Sequence, residues 1–154
     1  MMSKSLQEWL DEYSESHQNK MNVWIHRICV PLIFISIYWL LYSIPLTPKR
    51  GMYINAANIV YILALVFWFR LSIKVGLIFL FIGFFLALLT TFIWSFYFYA
   101  YDPPFRKIAL LVFSLSWVGQ FIGHRIEGKN PSFFKDIQFL LIGPIWIVYK
   151  GTKK

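Results

Sequence analysis

The chain of 154 residues is 58% hydrophobic and 21% aromatic, with only 14% charged residues and a net charge of +8. A soluble domain carries about 25% charged residues, and the long apolar blocks of this chain exclude both a disordered protein and a water-soluble core. Its basic residues lie scattered between these blocks and form no basic face, so we expect no nucleic-acid binding. The composition predicts an integral membrane protein with a single domain, residues 1–154.

The N-terminal 20 residues are polar and acidic, without the short apolar core of a signal peptide, so no signal peptide is expected. Apolar residues at positions 6, 9, 10 and 13 recur at helical spacing, and Ser5 with Glu8 has the spacing of a capping box. We predict a short amphipathic helix within residues 1–16, lying on the membrane surface or on the helix bundle.

Four apolar blocks follow, and we predict that they span the membrane as helices: residues 25–46, 54–70, 75–99 and 108–124. Pro45 and Pro48 end the first block, because proline cannot continue a helix. A final apolar stretch, residues 137–149, is short and contains Gly143–Pro144, which favours a re-entrant or interfacial segment. The predicted fold class is an all-α integral membrane protein with about four transmembrane helices, an N-terminal amphipathic helix and this C-terminal segment.

The distribution of positive charge predicts the topology. With four crossings, 11 of the 15 basic residues fall on one side, and the other side receives Lys49, Arg50, Arg106 and Lys107. This strong asymmetry indicates that the first side is cytoplasmic. A fifth crossing would leave 8 basic residues on one side and 7 on the other, which is almost no asymmetry. We therefore predict four crossings with both termini in the cytoplasm. The only three histidines, His17, His26 and His124, then share the cytoplasmic side although they played no part in defining it.

Three histidines on one side of a membrane suit a divalent transition metal, because imidazole is a good ligand for iron and zinc. Two or three histidines with a carboxylate leave coordination positions open for substrate and oxygen. Gln120, His124 and Glu127 share one face of a helix. Glu127 is therefore a candidate ligand, and Gln120 is a candidate hydrogen-bond partner of His124.

A site shared by His17 and His26 requires a break between them. Nine residues on one helix amount to a rotation of about 180° and a rise of about 13.5 Å, which would keep both side chains from one ion. We predict the break in the polar segment 18–20, with Asn19 or Asn22 capping the helix that follows.

Several other chemistries are excluded. Three histidines are too few for the histidine boxes of a membrane di-iron hydroxylase, and the chain contains neither a GxSxG motif nor a Gly-rich phosphate loop. The single Cys29 excludes an internal disulfide and a Cys-based metal site. Two alternatives stay open: a non-enzymatic lipid-binding or scaffold protein whose histidines are interfacial, and a zinc-dependent lipid hydrolase.

Two stretches of the chain, HQNKMNVWIHRICVPL (17–32) and WVGQFIGHRIEGKNPSFFKDIQFLLIGPIW (117–146), resemble the membrane-bound 2-hydroxy fatty acid dioxygenase family. That family was long catalogued as a domain of unknown function and includes the fungal enzyme of phytosphingosine degradation. The resemblance rests on a His-x-Asn-x-x-Asn-x-x-x-His pattern and a Gln-Phe-x-Gly-His pattern; residues 33–116 match only as generic spanning segments.

The resemblance implies an Fe(II)-dependent reaction, without 2-oxoglutarate, at the cytoplasmic face of a bacterial inner membrane or the endoplasmic reticulum. A 2-hydroxy fatty acid and O2 would yield a fatty acid one carbon shorter. The implied metal ligands are His17, His26 and His124. The residues implied to orient these ligands by hydrogen bonds are Asn19, Asn22 and Gln120. The candidates for binding the substrate carboxylate are Arg27, Arg125 and Lys129. The acyl chain would lie between the spanning helices, and a homo-oligomer is compatible with so small a bundle.

The resemblance ranks Glu127 below the three histidines as a metal ligand. In the fungal form the glutamate follows this histidine by four residues, whereas Glu127 follows His124 by three. A shift of one residue rotates a helical side chain by about 100°.

Overall fold

The computed structural model describes residues 4–46, 54–97, 105–128 and 136–152. Within these ranges the chain forms no strand and six helices: α1 (Leu6–Ser14), α2 (Lys20–Tyr42), α3 (Ala56–Leu71), α4 (Ile73–Tyr97), α5 (Phe105–Glu127) and α6 (Asp136–Thr152). The predicted all-α class is confirmed. Residues 1–3 of the predicted amphipathic segment, residues 98–99 of the third predicted span, and Pro48 lie outside the described residues.

Three of the described helices are long and apolar enough to cross a membrane, over Lys20–Tyr42, Ile73–Ile93 and Arg106–Glu127. This agrees with the membrane protein predicted from the composition. The helix of the second predicted span, α3, has 16 residues, or about 24 Å, which is less than the ~30 Å of the hydrocarbon core. The four crossings and the cytoplasmic termini stay predictions.

Local sequence signals explain where several helices begin and end. Ser5 and Glu8 form the predicted capping box of α1, and the hydrogen bond from the backbone N–H of Ser5 lowers the pKa of the Glu8 carboxyl group. A second capping box, between Asn55 and Asn58, begins α3. Helix α2 ends at Tyr42, before Pro45, whereas α6 continues through Pro144.

The part of the chain from Ile35 to Leu111 forms one compact unit, here called the hairpin unit. Its helices α3 and α4 are separated only by Ser72, which is extended. Trp68 on α3 is completely buried and stacks on Phe79 of α4, with ring centroids 4.0 Å apart. Tyr61 donates a hydrogen bond to the backbone carbonyl of Phe79 at 2.6 Å. Aromatic packing therefore holds these two helices together.

The other compact unit comprises Met1–Phe34 and Val112–Lys154 and is here called the site unit. In it the apolar stripe of α1 faces α6 rather than solvent. The ring of Tyr13 packs edge-on against Phe139 at 5.5 Å, and Nε1 of Trp146 donates a hydrogen bond to the Ser14 hydroxyl at 2.7 Å. The amphipathic helix was predicted to lie either on the membrane surface or on the helix bundle, and the structure shows α1 in contact with another helix, α6.

Candidate metal centre

The helical break that a shared histidine site requires is present. Helix α1 ends at Ser14 and α2 begins at Lys20, and His17 lies between them. Asn19 caps α2, because its side-chain oxygen accepts a hydrogen bond from the backbone N–H of Met21 at 2.9 Å. His17 and His26 are therefore not carried by one continuous helix, and the chain can bring them to the same place.

The structure brings all three histidines together. One potential ligand atom from each of His17, His26 and His124 lies within 4.8 Å of the others. Their ring centroids are 4.2 Å apart for His17 and His26, 4.9 Å for His26 and His124, and 5.5 Å for His17 and His124. His17 and His26 are only 3% and 1% exposed, and His124 is half-buried.

Backbone hydrogen bonds determine which nitrogen of two histidines can bind a metal. Nδ1 of His17 donates to the Tyr13 carbonyl at 2.6 Å, and Nδ1 of His26 donates to the Asn22 carbonyl at 3.0 Å. Because a carbonyl oxygen only accepts, each Nδ1 carries the proton and each Nε2 keeps its lone pair. Histidines that bind metals usually donate their other ring N–H in this way. Among the described residues, Nδ1 of the third histidine, His124, is buried without a hydrogen-bond partner.

The donor set fits a divalent transition metal. Three clustered neutral imidazoles, two of them oriented by backbone carbonyls, are typical ligands of iron and zinc.

Glu127 lies on α5, which continues through it as predicted, but it stands outside the cluster of potential metal ligands found among the described residues. Its carboxylate instead accepts three hydrogen bonds. One oxygen accepts from the backbone N–H of Gln18 at 2.9 Å; the other accepts from the backbone N–H of Asn19 at 2.9 Å and from the side chain of Asn22 at 3.0 Å. The carboxylate thus connects the end of α5 to the break before α2. Its role as a metal ligand stays a prediction.

Asn22 contacts several parts of the site at once. It is completely buried, and besides bonding Glu127 its side-chain nitrogen donates to the backbone carbonyl of Ser16 at 3.0 Å. Its own backbone carbonyl accepts the hydrogen bond from His26. These contacts are compatible with the supporting role predicted for Asn22, which stays a prediction, as does that of Asn19.

Two glycines on α5, Gly119 and Gly123, allow α2 and α5 to approach closely. Only Gly123 entered the sequence analysis, as part of the Gln-Phe-x-Gly-His pattern. A Cβ atom at Gly123 would overlap the side-chain oxygen of Asn22, and one at Gly119 would lie 2.6 Å from the sulfur of Cys29. Their G-x-x-x-G spacing is typical of closely packed membrane helices. This spacing is a sequence signal that could have indicated the interface.

Aromatic side chains from α1 and α6 pack against the ring of His17. The Tyr13 ring stacks on His17 with centroids 4.2 Å apart and planes 4° from parallel, and the Trp146 ring centroid lies 5.2 Å from that of His17. The sequence analysis assigned these aromatic residues no part in the site. Single aromatic residues carry no signal of it in a chain where a fifth of all residues are aromatic.

The remaining predicted residues lie close in sequence to the histidines. Gln120 is buried on α5, one turn before His124. Arg27 is half-exposed on α2 with its guanidinium 5.5 Å from the ring centroid of Trp24, and Arg125 is exposed on α5. Lys129 lies outside the described residues.

Fold and site together define a small helical membrane protein whose three histidines form a candidate metal centre. The chain belongs to the Mpo1-like family, described as 2-hydroxy-palmitic acid dioxygenase Mpo1-like, whose model matches residues 3–154. It is similar to the 2-hydroxy-palmitic acid dioxygenase MPO1 of Saccharomyces cerevisiae, with 27% identity over 147 residues that cover 94% of this chain and 78% of the relative. No solved structure matches it. The family resemblance identified from the two histidine-bearing stretches is confirmed.

Proposed function

We propose that this protein is an Fe(II)-dependent dioxygenase that uses O2 to shorten 2-hydroxy fatty acids by one carbon. The observation that carries the proposal is the convergence of His17, His26 and His124, with potential ligand atoms within 4.8 Å of one another. Membership of a family described as 2-hydroxy-palmitic acid dioxygenase Mpo1-like supports the choice of substrate and of O2 as the oxidant.

The protein's own groups would hold and orient the metal. His17 and His26 would bind through Nε2, because their Nδ1–H groups are engaged by the carbonyls of Tyr13 and Asn22. These hydrogen bonds keep the imidazole rings from rotating and raise their basicity as ligands. His124 would complete the set from α5, with Gln120 one turn away. Bound ferrous iron would supply a Lewis-acidic, redox-active site for the 2-hydroxy acid and O2.

The overall reaction balances without a further reductant. A 2-hydroxy acid, R–CH(OH)–COOH, and O2 give R–COOH, CO2 and H2O: the bond between C1 and C2 breaks, C1 leaves as CO2, and C2 becomes the new carboxyl carbon. The substrate itself supplies the four electrons that reduce O2. A co-substrate such as 2-oxoglutarate is therefore not required.

Basic side chains beside the histidines would bind the substrate carboxylate. Arg27 directly follows His26, and Arg125 directly follows His124, so the α2 and α5 helices each carry a guanidinium group one residue after a histidine. Guanidinium groups bind carboxylates through two parallel hydrogen bonds. Lys129 is a third candidate. The acyl chain would lie against the apolar side chains of the spanning helices α2 and α5.

The same proposal places the reaction at the cytoplasmic face of a bacterial inner membrane or the endoplasmic reticulum. It is supported by the unequal distribution of the 15 basic residues along the chain. Four crossings would put both termini and the three histidines on that side.

The metal content of anaerobically purified protein tests the proposal. We expect about one iron per chain in the wild type, from one shared site, and its loss in His26→Ala. A control variant, Ser36→Ala, truncates another completely buried polar side chain of α2, within the hairpin unit, and should keep its iron. The iron-loaded wild type should then consume one O2 for each 2-hydroxypalmitate converted to pentadecanoic acid.

Two results would overturn this function. Stoichiometric zinc with hydrolysis of a lipid would indicate a hydrolase. Failure to bind any metal, even after reconstitution with Fe(II), would indicate a non-enzymatic lipid-binding protein.

A further inference from the structure

The carboxylate of Glu127 lies where three segments of the site unit meet: the end of α5, the break between α1 and α2, and the first turn of α2. Its hydrogen bonds bridge 108 and 109 residues of sequence to Asn19 and Gln18. Through these two bonds Glu127 links the end of α5 to the backbone of the break.

The backbone groups bound by Glu127 need such a partner. The N–H groups at the start of a helix have no acceptor within that helix, and the N–H groups of Gln18 and Asn19 immediately precede α2. A carboxylate accepts these bonds with the added strength of its charge, and it interacts favourably with the positive end of the helix dipole. Both oxygens of Glu127 are already used in this way.

Two routes connect Glu127 to the histidines. Its bond to the Gln18 N–H holds the peptide group that directly follows His17. Its bond to the Asn22 side chain holds the residue whose carbonyl orients His26. His124 lies one turn before Glu127 on α5. One carboxylate therefore connects the segments that carry all three histidines.

We propose that Glu127 is a positioning residue that keeps His17 and His26 aligned with His124, and that it does not itself bind the metal. The inference rests on the proposed function only in requiring that the three histidines bind a metal ion. It predicts that loss of the carboxylate loosens the break and weakens metal binding while the ligand set stays the same.

The test compares Glu127→Gln with the wild type and with a matched control, Asp11→Asn, in full-length protein. The glutamine keeps the size of the side chain but replaces one accepting oxygen with an NH2 group and removes the charge. Asp11 is an exposed acid of α1 whose side chain accepts a hydrogen bond from Gln7. In metal-free protein, the amides of Gln18 and Asn19 should exchange hydrogen about ten-fold faster in Glu127→Gln and at the wild-type rate in the control.

Cobalt(II) binding distinguishes positioning from ligation. We expect Glu127→Gln to bind cobalt about 10- to 100-fold more weakly, as when other partners of metal ligands are removed, but to show the wild-type absorption bands once saturated. Changed bands would mean that Glu127 is a ligand and would overturn the proposal. Unchanged amide exchange together with unchanged affinity would also overturn it.

A second variant keeps the test decisive if Glu127→Gln folds poorly. Glu127→Asp retains the charge on a shorter side chain, so its amide exchange and cobalt affinity should lie between those of the wild type and Glu127→Gln. An exchange rate equal to that of the wild type together with changed cobalt bands would contradict the proposal. Amide exchange in metal-free protein does not depend on which reaction the site catalyses. Failure of the dioxygenase activity would therefore leave this readout intact.

Discussion

The site unit and the hairpin unit bury polar side chains for different purposes. In the hairpin unit, Asn55 caps the N-terminus of α3, and Thr90 accepts a hydrogen bond from the indole of Trp39. In the site unit, the buried side chains of His17 and His26 face each other and a third histidine. The first arrangement satisfies hydrogen-bonding groups of the helices themselves, whereas the second brings potential metal-ligand atoms together in one place.

The contrast extends to the helix ends. Only Ser72 separates α3 from α4, and aromatic rings pack the two helices together. The break between α1 and α2 is longer and is held by the side chains of Glu127 from α5 and of Asn22 from the first turn of α2. Ionisable and polar groups at membrane depth are costly and usually functional. The proposed function accounts for this difference, because it assigns the metal chemistry to the site unit and leaves the hairpin unit to packing.

Removal of the metal should have the largest effect and should affect only the site unit. A chelator should abolish activity and lower the melting temperature of the wild type, since metal present at about 1,000 times its Kd stabilises the folded protein by about 4 kcal/mol. His17→Ala and His124→Ala should be inactive before the chelator is added, and the chelator should not change their melting temperature. Thermal unfolding with and without chelator measures this; a chelator response in either variant would show that its histidine is not a ligand.

Loss of a substrate-binding charge should have the next largest effect. A charge-assisted hydrogen bond contributes about 1.5–3 kcal/mol, so Arg27→Gln or Arg125→Gln should lower kcat/KM by about 10- to 100-fold, with iron content unchanged. Arg70→Gln, at the end of α3 in the hairpin unit, is the control and should leave kcat/KM unchanged. Steady-state kinetics with 2-hydroxypalmitate provide the measurement, and equal effects in all three variants would contradict the assignment.

Crowding a helix contact should destabilise both units but impair metal binding in only one. Gly123→Ala would force a Cβ atom against Asn22, and Gly83→Ala would force one against the ring of Tyr61. Each should lower the free energy of unfolding by about 1–3 kcal/mol. Asn22 cannot move away without losing its bonds to Glu127 and Ser16, so only Gly123→Ala should also weaken cobalt binding. Equal cobalt affinity in the two variants would refute the link between helix packing and the site.

The smallest expected effect comes from a matched pair of indole hydrogen bonds. Trp146→Phe removes the bond to Ser14 in the site unit, and Trp39→Phe removes the bond to Thr90 in the hairpin unit. Each should cost about 1 kcal/mol of stability, but only Trp146→Phe should lower metal affinity, because Trp146 packs beside His17. Denaturant unfolding and cobalt titration of both variants test this; weaker cobalt binding in Trp39→Phe would remove the distinction between the units.

Features that depend on neighbours in the chain could be predicted from the sequence. The capping box of Ser5 and Glu8, the helix cap at Asn19 and the end of α2 before Pro45 all follow from residues a few positions apart. The membrane class follows from apolar blocks long enough to span lipid. The need for a break between His17 and His26 follows from helix geometry alone.

Features that depend on partners far along the chain were decided by the tertiary structure. The sequence could place Glu127 on the same helical face as His124, but not reveal that its carboxylate holds Gln18 and Asn19. It could not show that Trp146 packs beside His17, because aromatic residues are common throughout the chain. By itself the sequence determined where the helical segments lie, to within a few residues, and which residues could bind a metal. Which of these atoms meet, and what holds them there, depends on contacts between segments more than 100 residues apart that no local pattern encodes.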